Sequence, residues 1–187
     1  MNKICVFGTY KNLGKKEKEE VIRLGRLLAE NGIIVVSGGF GGTMEDVSRG
    51  AKLAGGKTIG VTYYRNEDIP YKRANEFIDE EIKTKNIFER INVMMKISDG
   101  FIVLQGETGT LLELAAVLEH INKGMVSPKP IIAIGDFWRD TVKNLDREGL
   151  LNIEAKRRFN VTNCSELVMF AKNADEAVKK ILCIWKS

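Results

Sequence analysis

Two kinds of pattern alternate along the chain: short continuous apolar runs, and longer segments in which apolar residues recur every three or four positions. The runs are typical of buried strands, and the recurring pattern is typical of amphipathic helices. They predict strands at residues 3–8, 33–36, 57–62, 100–104 and 131–134, and shorter ones within residues 76–84 and near residues 160–163. They predict helices at residues 15–31, 43–54, 85–97, 110–123, 136–146 and 174–185.

Alternating strands and helices, with strands that are apolar on both faces, are typical of a parallel sheet covered by helices. The predicted fold class is therefore α/β, a doubly wound Rossmann-like domain whose mainly parallel sheet has helices on both faces. The length of 187 residues suits one domain, and no linker or repeat interrupts the pattern. We therefore expect residues 1–187 to form a single domain.

Composition and charge narrow the classes of function. No apolar run approaches the ~20 residues of a membrane span, and the first residues lack a signal-peptide pattern, so a cytoplasmic protein without membrane contact is expected. Three cysteines without close spacing suit free thiols in a reducing compartment. The single histidine belongs to no ligand cluster, so neither a metal nor a cofactor is expected. The net charge of +4 is mild and no basic face with interleaved aromatics is visible, so a nucleic-acid partner is not expected.

One stretch, residues 104–113, joins a predicted buried strand to a predicted helix through a turn that contains Gly106 and Gly109. The start of a helix has unpaired N–H groups and the positive end of the helix dipole, which together favour an anion. Glycines on the approach let a phosphate come close to the main chain. We therefore expect a phosphorylated ligand here, with Glu113 as the first charge inside the helix.

Two more glycine-bearing loops follow predicted strands, at residues 8–10 and 37–43. The carboxyl ends of parallel strands share one edge of a sheet, where ligands bind, so the three loops are expected to meet there. The two loops that are richest in glycine, at residues 37–43 and 105–110, match neither the G-x-G-x-x-G pattern nor a P-loop. This disfavours a standard dinucleotide-binding site and a P-loop site. The candidate phosphate- or nucleotide-binding residues of the three loops are Gly8, Thr9, Gly38, Gly39, Gly42, Thr43, Gly106, Thr108, Gly109 and Thr110.

Arg90 is the second charge of interest, because it shares one face of the predicted helix 85–97 with Ile87, Met94 and Ile97. A guanidinium on an apolar stripe needs a partner or a ligand. We expect Arg90 to lie about two helical turns, roughly 9 Å, below the sheet edge, from where its side chain could reach toward Glu113.

Three alternatives remain open from the residues alone. Arg90 could belong to a structural ion pair. Thr110 and Glu113 fit a T-x-x-E capping box, so Glu113 could cap its own helix. The polar and aromatic residues of the long loop after residue 62 could line a pocket for a base or simply form a surface loop; they are Tyr63, Tyr64, Tyr71, Lys72 and Arg73.

At these residues the chain resembles the Lonely Guy family, also called lysine decarboxylase-like, within a wider group of Rossmann-type nucleotide-binding proteins that includes molybdenum-cofactor carrier proteins. The resemblance covers about residues 3–134. Residues 37–44 resemble the family's GGG-x-x-G-x-M loop, and residues 105–113 resemble its PGGxGTxxE signature. Glu89 and Arg90, followed by residues 98–104, resemble its E-R-K and A-D-x-F-I-x-L segments.

The resemblance implies a nucleotide-binding domain that hydrolyses the N-glycosidic bond of a nucleoside 5′-monophosphate, releasing the base and ribose 5-phosphate. The family's catalytic Arg and Glu correspond to Arg90 and Glu113, and its phosphate-binding positions correspond to Gly106, Gly109 and Thr110. The resemblance also implies a homodimer or homotetramer, with the helices predicted at residues 85–97 and 110–121 as candidates for the interface.

The chain also departs from the family pattern. Gln105 and Glu107 stand where the signature has proline and glycine, and Ile91 stands where a lysine usually follows the arginine. An acidic side chain beside a phosphate loop weakens anion binding unless it points away. The alternative function is therefore a non-catalytic binder or carrier of a nucleotide or a phosphorylated, molybdenum-cofactor-like molecule.

Overall fold

The computed structural model of the protein describes residues 1–64 and 73–186. Its strands are β1 (Lys3–Phe7), β2 (Ile34–Ser37), β3 (Thr58–Tyr63), β4 (Glu80–Thr84), β5 (Gly100–Val103), β6 (Ile131–Ile134) and β7 (Val168–Ala171). Its helices are α1 (Lys15–Glu30), α2 (Thr43–Leu53), α3 (Ile87–Ile97), α4 (Thr108–Asn122), α5 (Arg139–Lys143), α6 (Ile153–Phe159) and α7 (Ala174–Lys186). A 3-10 helix, Cys164–Leu167, precedes β7.

The seven strands form one parallel sheet in the order β4-β3-β2-β1-β5-β6-β7. Each residue of the inner strand β5 is buried, as expected for a strand that is covered on both faces. One face packs against α1, α2 and α7 through residues such as Leu24, Val47 and Ile181. The other face packs against α3 and α4 through residues such as Met94 and Val117. The predicted α/β class, with its parallel sheet between two layers of helices, is confirmed.

The last part of the sheet differs from the prediction. The strand predicted near residues 160–163 is wrong, since the described chain there makes an isolated antiparallel bridge between Gly149 and Asn163. Two asparagines of this segment cap helices. Asn160 ends α6 in the left-handed conformation (φ 53°), and Asn163 begins the 3-10 helix in a capping box. The strand that completes the sheet is β7, which the prediction missed.

The order of the strands fixes the place of the site. β1 lies at the centre with β2 and β5 on either side, so the chain leaves all three strands at the same edge of the sheet. The connections into α1, α2 and α4 therefore meet there, as predicted for the three glycine-bearing loops. Among the described residues, no helix is long and apolar enough to cross a membrane.

Candidate functional site

A cleft of about 180 Å³ opens at this edge of the sheet. Its walls come from the three loops, from the end of β3, from the starts of α2 and α3 and from the first two turns of α4. The lining residues are Gly8, Tyr10, Phe40, Gly41, Met44, Tyr63, Ile87, Arg90, Gly109 and Glu113. The cleft is thus largely apolar and aromatic, with one buried pair of opposite charges in its wall.

Each of the three nitrogens of the Arg90 guanidinium contacts a protein group. Nε donates to the carbonyl of Val61 over 2.7 Å, Nη1 donates to Glu113 Oε1 over 3.1 Å, and Nη2 lies 3.6 Å from Met44 Sδ. The guanidinium carbon is also 5.8 Å from the ring centre of Phe40 and 5.6 Å from that of Tyr63. Arg90 is only 6% exposed, so its position is fixed by protein contacts and not by solvent.

Glu113 is a buried carboxyl group, 7% exposed, on α4. Burial raises its pKa to about 7, although the neighbouring Arg90 charge favours the ionised form. Within the described residues, Arg90 provides the one hydrogen bond to the Glu113 side chain. A carboxyl group that titrates near neutral pH and faces a cleft is suited to gain or lose a proton during a reaction.

The capping-box alternative for Glu113 is wrong. α4 begins at Thr108 with Glu107 at the N-cap position, and no side chain of the described residues caps this end. Glu113 therefore lies in the second turn, two residues further from the helix start than predicted, where its carboxylate meets Arg90. The T-x-x-E pattern fits a cap at Thr110, whereas the observed N-cap residue is Glu107.

Gly38 makes room for Arg90. A Cβ atom on Gly38 would lie 1.6 Å from Nη2 of Arg90 and 2.5 Å from Met44 Sδ, so no larger residue fits without moving the guanidinium. Gly38 thus lies against Arg90 and Met44, and it does not line the cleft.

Thr9, Gly42 and Thr43 join the first two loops to each other. The carbonyl of Thr9 accepts hydrogen bonds from Thr43 N over 2.9 Å and from Thr43 Oγ1 over 3.0 Å. Gly42 has φ +67°, and a Cβ there would lie 2.4 Å from the main chain of Tyr10. A Cβ on Gly8, which does line the cleft, would lie 2.3 Å from Thr43 Oγ1. The Thr43 hydroxyl is therefore used to hold the loops together.

Asn75 fixes the tip of the second loop. Its main-chain N–H and its side-chain amide both donate to the carbonyl of Gly39, and the amide also donates to the carbonyl of Phe40 over 2.8 Å. Gly39 itself has φ +74° and packs against Gly60. These contacts place the Phe40 ring in the wall of the cleft, where it meets Tyr63 edge to face with ring centres 5.9 Å apart.

The start of α4 has a different character from the other two loops. Gly106 is buried, and a Cβ on it would lie 2.1 Å from Thr110 Oγ1. Thr110 is 2% exposed, and its hydroxyl has no hydrogen-bond partner among the described residues. Gly109 lines the cleft, and a Cβ on it would have no neighbour within 4 Å, while Thr108 is exposed beside it. The turn thus offers open space and free donors at a helix N-terminus.

Of the predicted site residues, the structure brings Gly8, Arg90, Gly109 and Glu113 together in the cleft wall. Tyr63 also lies there, Arg73 lines a neighbouring pocket, and Tyr71 and Lys72 lie outside the described residues. Five lining residues were not predicted as site residues: Tyr10, Phe40, Gly41, Met44 and Ile87. An aromatic residue inside a glycine-rich loop, as at positions 10 and 40, is the signal that could have found two of them.

Fold and site together define a Rossmann-type α/β protein whose glycine-bearing loops surround a buried Arg–Glu pair. The chain belongs to the SLOG cluster4 family, whose profile matches residues 1–171. A probable cytokinin riboside 5′-monophosphate phosphoribohydrolase of Oryza sativa subsp. japonica is 36% identical over 163 residues, which are 83% of this chain and 65% of that protein.

Solved structures are similar over nearly the whole chain. The molybdenum cofactor binding protein of Rippkaea orientalis superposes with a TM-score of 0.75 at 24% identity, covering 98% of this chain and 97% of the other. The molybdenum cofactor carrier protein of Chlamydomonas reinhardtii also gives a TM-score of 0.75, at 23% identity and with 100% and 99% coverage. At these identities the similarity establishes the fold.

Proposed function

We propose that the protein is a nucleoside 5′-monophosphate phosphoribohydrolase, which hydrolyses the N-glycosidic bond to give the free base and ribose 5-phosphate. The observation that carries this proposal is the buried pair of Arg90 and Glu113 in the cleft wall, joined over 3.1 Å. The rice relative named as a probable phosphoribohydrolase supports the same reaction class.

In this reaction the oxygen of a water molecule bonds to C1′ of the ribose, while the electron pair of the C1′–N bond passes to the base. One proton of the water ends on the base. The water oxygen, with its remaining hydrogen, becomes the 1-hydroxyl of ribose 5-phosphate. Positive charge develops on the sugar as the C–N bond breaks, so a carboxylate in the wall of a largely apolar cleft stabilises the transition state. Glu113 has this role in our proposal, by holding the ribose hydroxyls or the attacking water.

Arg90 is proposed to position Glu113. Its three nitrogens already face Val61, Glu113 and Met44, which leaves the guanidinium engaged with protein groups. A charge held in this way keeps the carboxylate in one orientation and favours its ionised form. This role differs from direct contact with the departing base.

The ligand is proposed to span the cleft from the α4 turn to the aromatic wall. The 5′-phosphate lies at the turn that contains Gly106, Thr108, Gly109 and Thr110, where main-chain donors and the buried Thr110 hydroxyl are available. The base lies against the side of the cleft formed by Phe40 and Tyr63, since aromatic rings stack on bases without selecting one of them.

The second candidate function is a binder or carrier of a nucleotide or a molybdenum-cofactor-like molecule on the same loops. Two observations favour it: Glu107 puts an acid at the start of α4, and the similar solved structures are named as molybdenum cofactor binding or carrier proteins. In this case the Arg90–Glu113 pair would stabilise the fold and hold the ligand without cleaving it.

Incubation with a panel of nucleoside 5′-monophosphates, followed by chromatography of the released base, separates the two functions. We expect release from at least one of them, and a loss of at least roughly 100-fold in Glu113→Gln with nucleotide binding retained. Glu119→Gln is the matched control, because Glu119 lies on the same helix, is exposed and pairs only with Lys123 among its described neighbours. Binding without release for every nucleotide would exclude the hydrolase and favour the carrier.

Two further properties belong to this proposal. The protein is a homodimer or homotetramer, with α3 and α4 at the interface, since Phe88, Leu111 and Leu112 expose apolar surface on these helices. It functions in the cytoplasm, where its three free cysteines would stay reduced.

A further inference from the structure

Lys11 and Glu107 form an ion pair between the first and third loops. Lys11 Nζ donates to Glu107 Oε1, and the two side chains are 58% and 47% exposed. Glu107 is the N-cap residue of α4, yet its carboxylate bonds to Lys11 and not to the helix N–H groups. The acidic residue that replaces a glycine of the family signature is therefore compensated by a cation from another loop.

The main chain of Lys11 is anchored, while its side chain is exposed and held only by the Glu107 pair among the described contacts. Lys11 N donates to Thr9 Oγ1 over 3.1 Å, and the carbonyl of Thr9 is fixed in turn by two hydrogen bonds from Thr43. An exposed ion pair contributes little to stability, so Lys11 can exchange its carboxylate partner at small cost. The lysine is thus placed beside the start of α4 with an exchangeable partner.

The same helix start contains a hydroxyl that has no hydrogen-bond partner among the described residues. The buried hydroxyl of Thr110 makes no hydrogen bond among the described residues, and Gly109 leaves open space in the cleft wall. An anion bound at these groups would lie beside both Glu107 and Lys11. The charges of Lys11 and Glu107 cancel. Lys11 therefore strengthens the binding of an anion only if the anion attracts the lysine more strongly than the Glu107 carboxylate does.

We propose that Lys11 is a phosphate-binding residue of this site, and that Glu107 competes with the ligand for it. The competition selects the class of ligand: a dianionic phosphomonoester displaces the Glu107 carboxylate, whereas an uncharged nucleoside or a monoanionic phosphodiester does not. This inference rests on the phosphate-binding role that the proposed function gives to the α4 turn.

The test measures binding of ribose 5-phosphate, which is the same for every base and cannot be cleaved further at a glycosidic bond. Isothermal titration at about pH 7.5, where a phosphomonoester is largely dianionic, compares the wild type with Lys11→Met, Glu107→Gln and the double variant. We expect Lys11→Met to bind roughly tenfold more weakly and Glu107→Gln to bind several-fold more tightly, because Lys11 is then free for the phosphate. In the Glu107→Gln background, loss of Lys11 should weaken binding at least as much as in the wild type.

Two controls show whether the effect belongs to the phosphate charge. Lys52→Met removes the same charge from another exposed pair, with Asp79 near the start of β4, and should leave binding unchanged. Adenosine 5′-monophosphate should respond to Lys11→Met as ribose 5-phosphate does, while adenosine and the methyl diester of the monophosphate should respond less than twofold.

Three results would overturn the inference. The first is equal binding of ribose 5-phosphate by Lys11→Met and the wild type. The second is a double variant that binds as tightly as Glu107→Gln, which would mean that Lys11 only neutralises Glu107. The third is absence of ribose 5-phosphate binding by the wild type at millimolar concentration. Base release from nucleoside monophosphates is a separate assay, so failure here and failure of the proposed hydrolase are distinguishable.

Discussion

Gly38 and Arg90 approach each other so closely that a methyl group on the glycine would lie 1.6 Å from the guanidinium. We expect Gly38→Ala to push Arg90 away from Glu113 and to lower the rate of base release at least tenfold. Overpacking a buried position of this kind also lowers the free energy of unfolding by about 1–3 kcal/mol. Steady-state kinetics and urea denaturation measure the two effects.

The control for this substitution is Gly149→Ala, since nothing lies within 4 Å of a Cβ on Gly149 and its φ is not in the left-handed region. It should change the free energy of unfolding by less than about 1 kcal/mol. Wild-type kinetics in Gly38→Ala would show that the position of Arg90 is not critical.

Glu113 makes stability depend on pH. Its pKa of about 7 in the folded chain lies above the ordinary value of 4.5, so the folded state retains a proton that the unfolded state releases between these values. The free energy of unfolding should therefore fall as the pH rises from about 4.5 to about 7, by up to about 3 kcal/mol from this group. Urea denaturation across this range, for the wild type and Glu113→Gln, isolates the contribution as the difference between two curves.

Activity should change in the opposite direction over the same range. If the ionised Glu113 is the reactive form, kcat/KM rises with pH and levels off above an apparent pKa near 7. Two results would contradict this assignment. One is a pair of parallel stability curves for the wild type and Glu113→Gln. The other is a kcat/KM profile that stays flat between about pH 5 and 8.

Trp138 supports the end of β5. Its Nε1 donates to the carbonyl of Leu104 over 2.8 Å, directly before the turn that leads to α4, and the side chain is buried. Trp138→Phe should lower the free energy of unfolding by about 1–3 kcal/mol, because the carbonyl loses its partner and the smaller ring leaves a void. Trp185→Phe, near the end of the chain, is the comparison and should cost less; an equal loss in both would argue against this support.

The proposed interface can be tested at Phe88, which is 71% exposed on α3. We expect Phe88→Asp to lower the mass measured by light scattering, because a charge in an apolar interface must lose its hydration. Ile153→Asp carries the same kind of change on the exposed surface of α6 and should leave the mass unchanged. A monomeric wild type would remove the basis of this proposal.

The sequence predicted the central strands well because each is a short apolar run between turn signals. β6 was predicted with its observed bounds, and β1, β2, β3 and β5 within one residue at either end. The missed edge strand β7 lies in the apolar run at residues 167–171, which no glycine or proline bounds, and a run of this kind fits a strand or a helix equally well. α6 was missed because its seven residues are too few to show a helical period.

Within the site, the approach of Arg90 to Glu113 followed from one apolar helix face and from the topology of a parallel sheet. Contacts between loops could not be predicted in the same way. The bond between Lys11 and Glu107 joins residues 96 positions apart, and no periodic pattern links them. Nor could the sequence show that the Thr43 hydroxyl would bind the main chain of Thr9, since a threonine at a helix start fits a ligand equally well.

The ion pair and the loops sit on different parts of the scaffold. Arg90 and Glu113 project from α3 and α4, whereas Gly8 and Phe40 of the cleft wall belong to the connections that follow β1 and β2. Substitutions can therefore change the Arg90–Glu113 pair and keep the loop residues, or the reverse. A chain that lost one member of the pair would keep the loops, so under the proposed function cleavage of the ligand could be lost while its binding is retained.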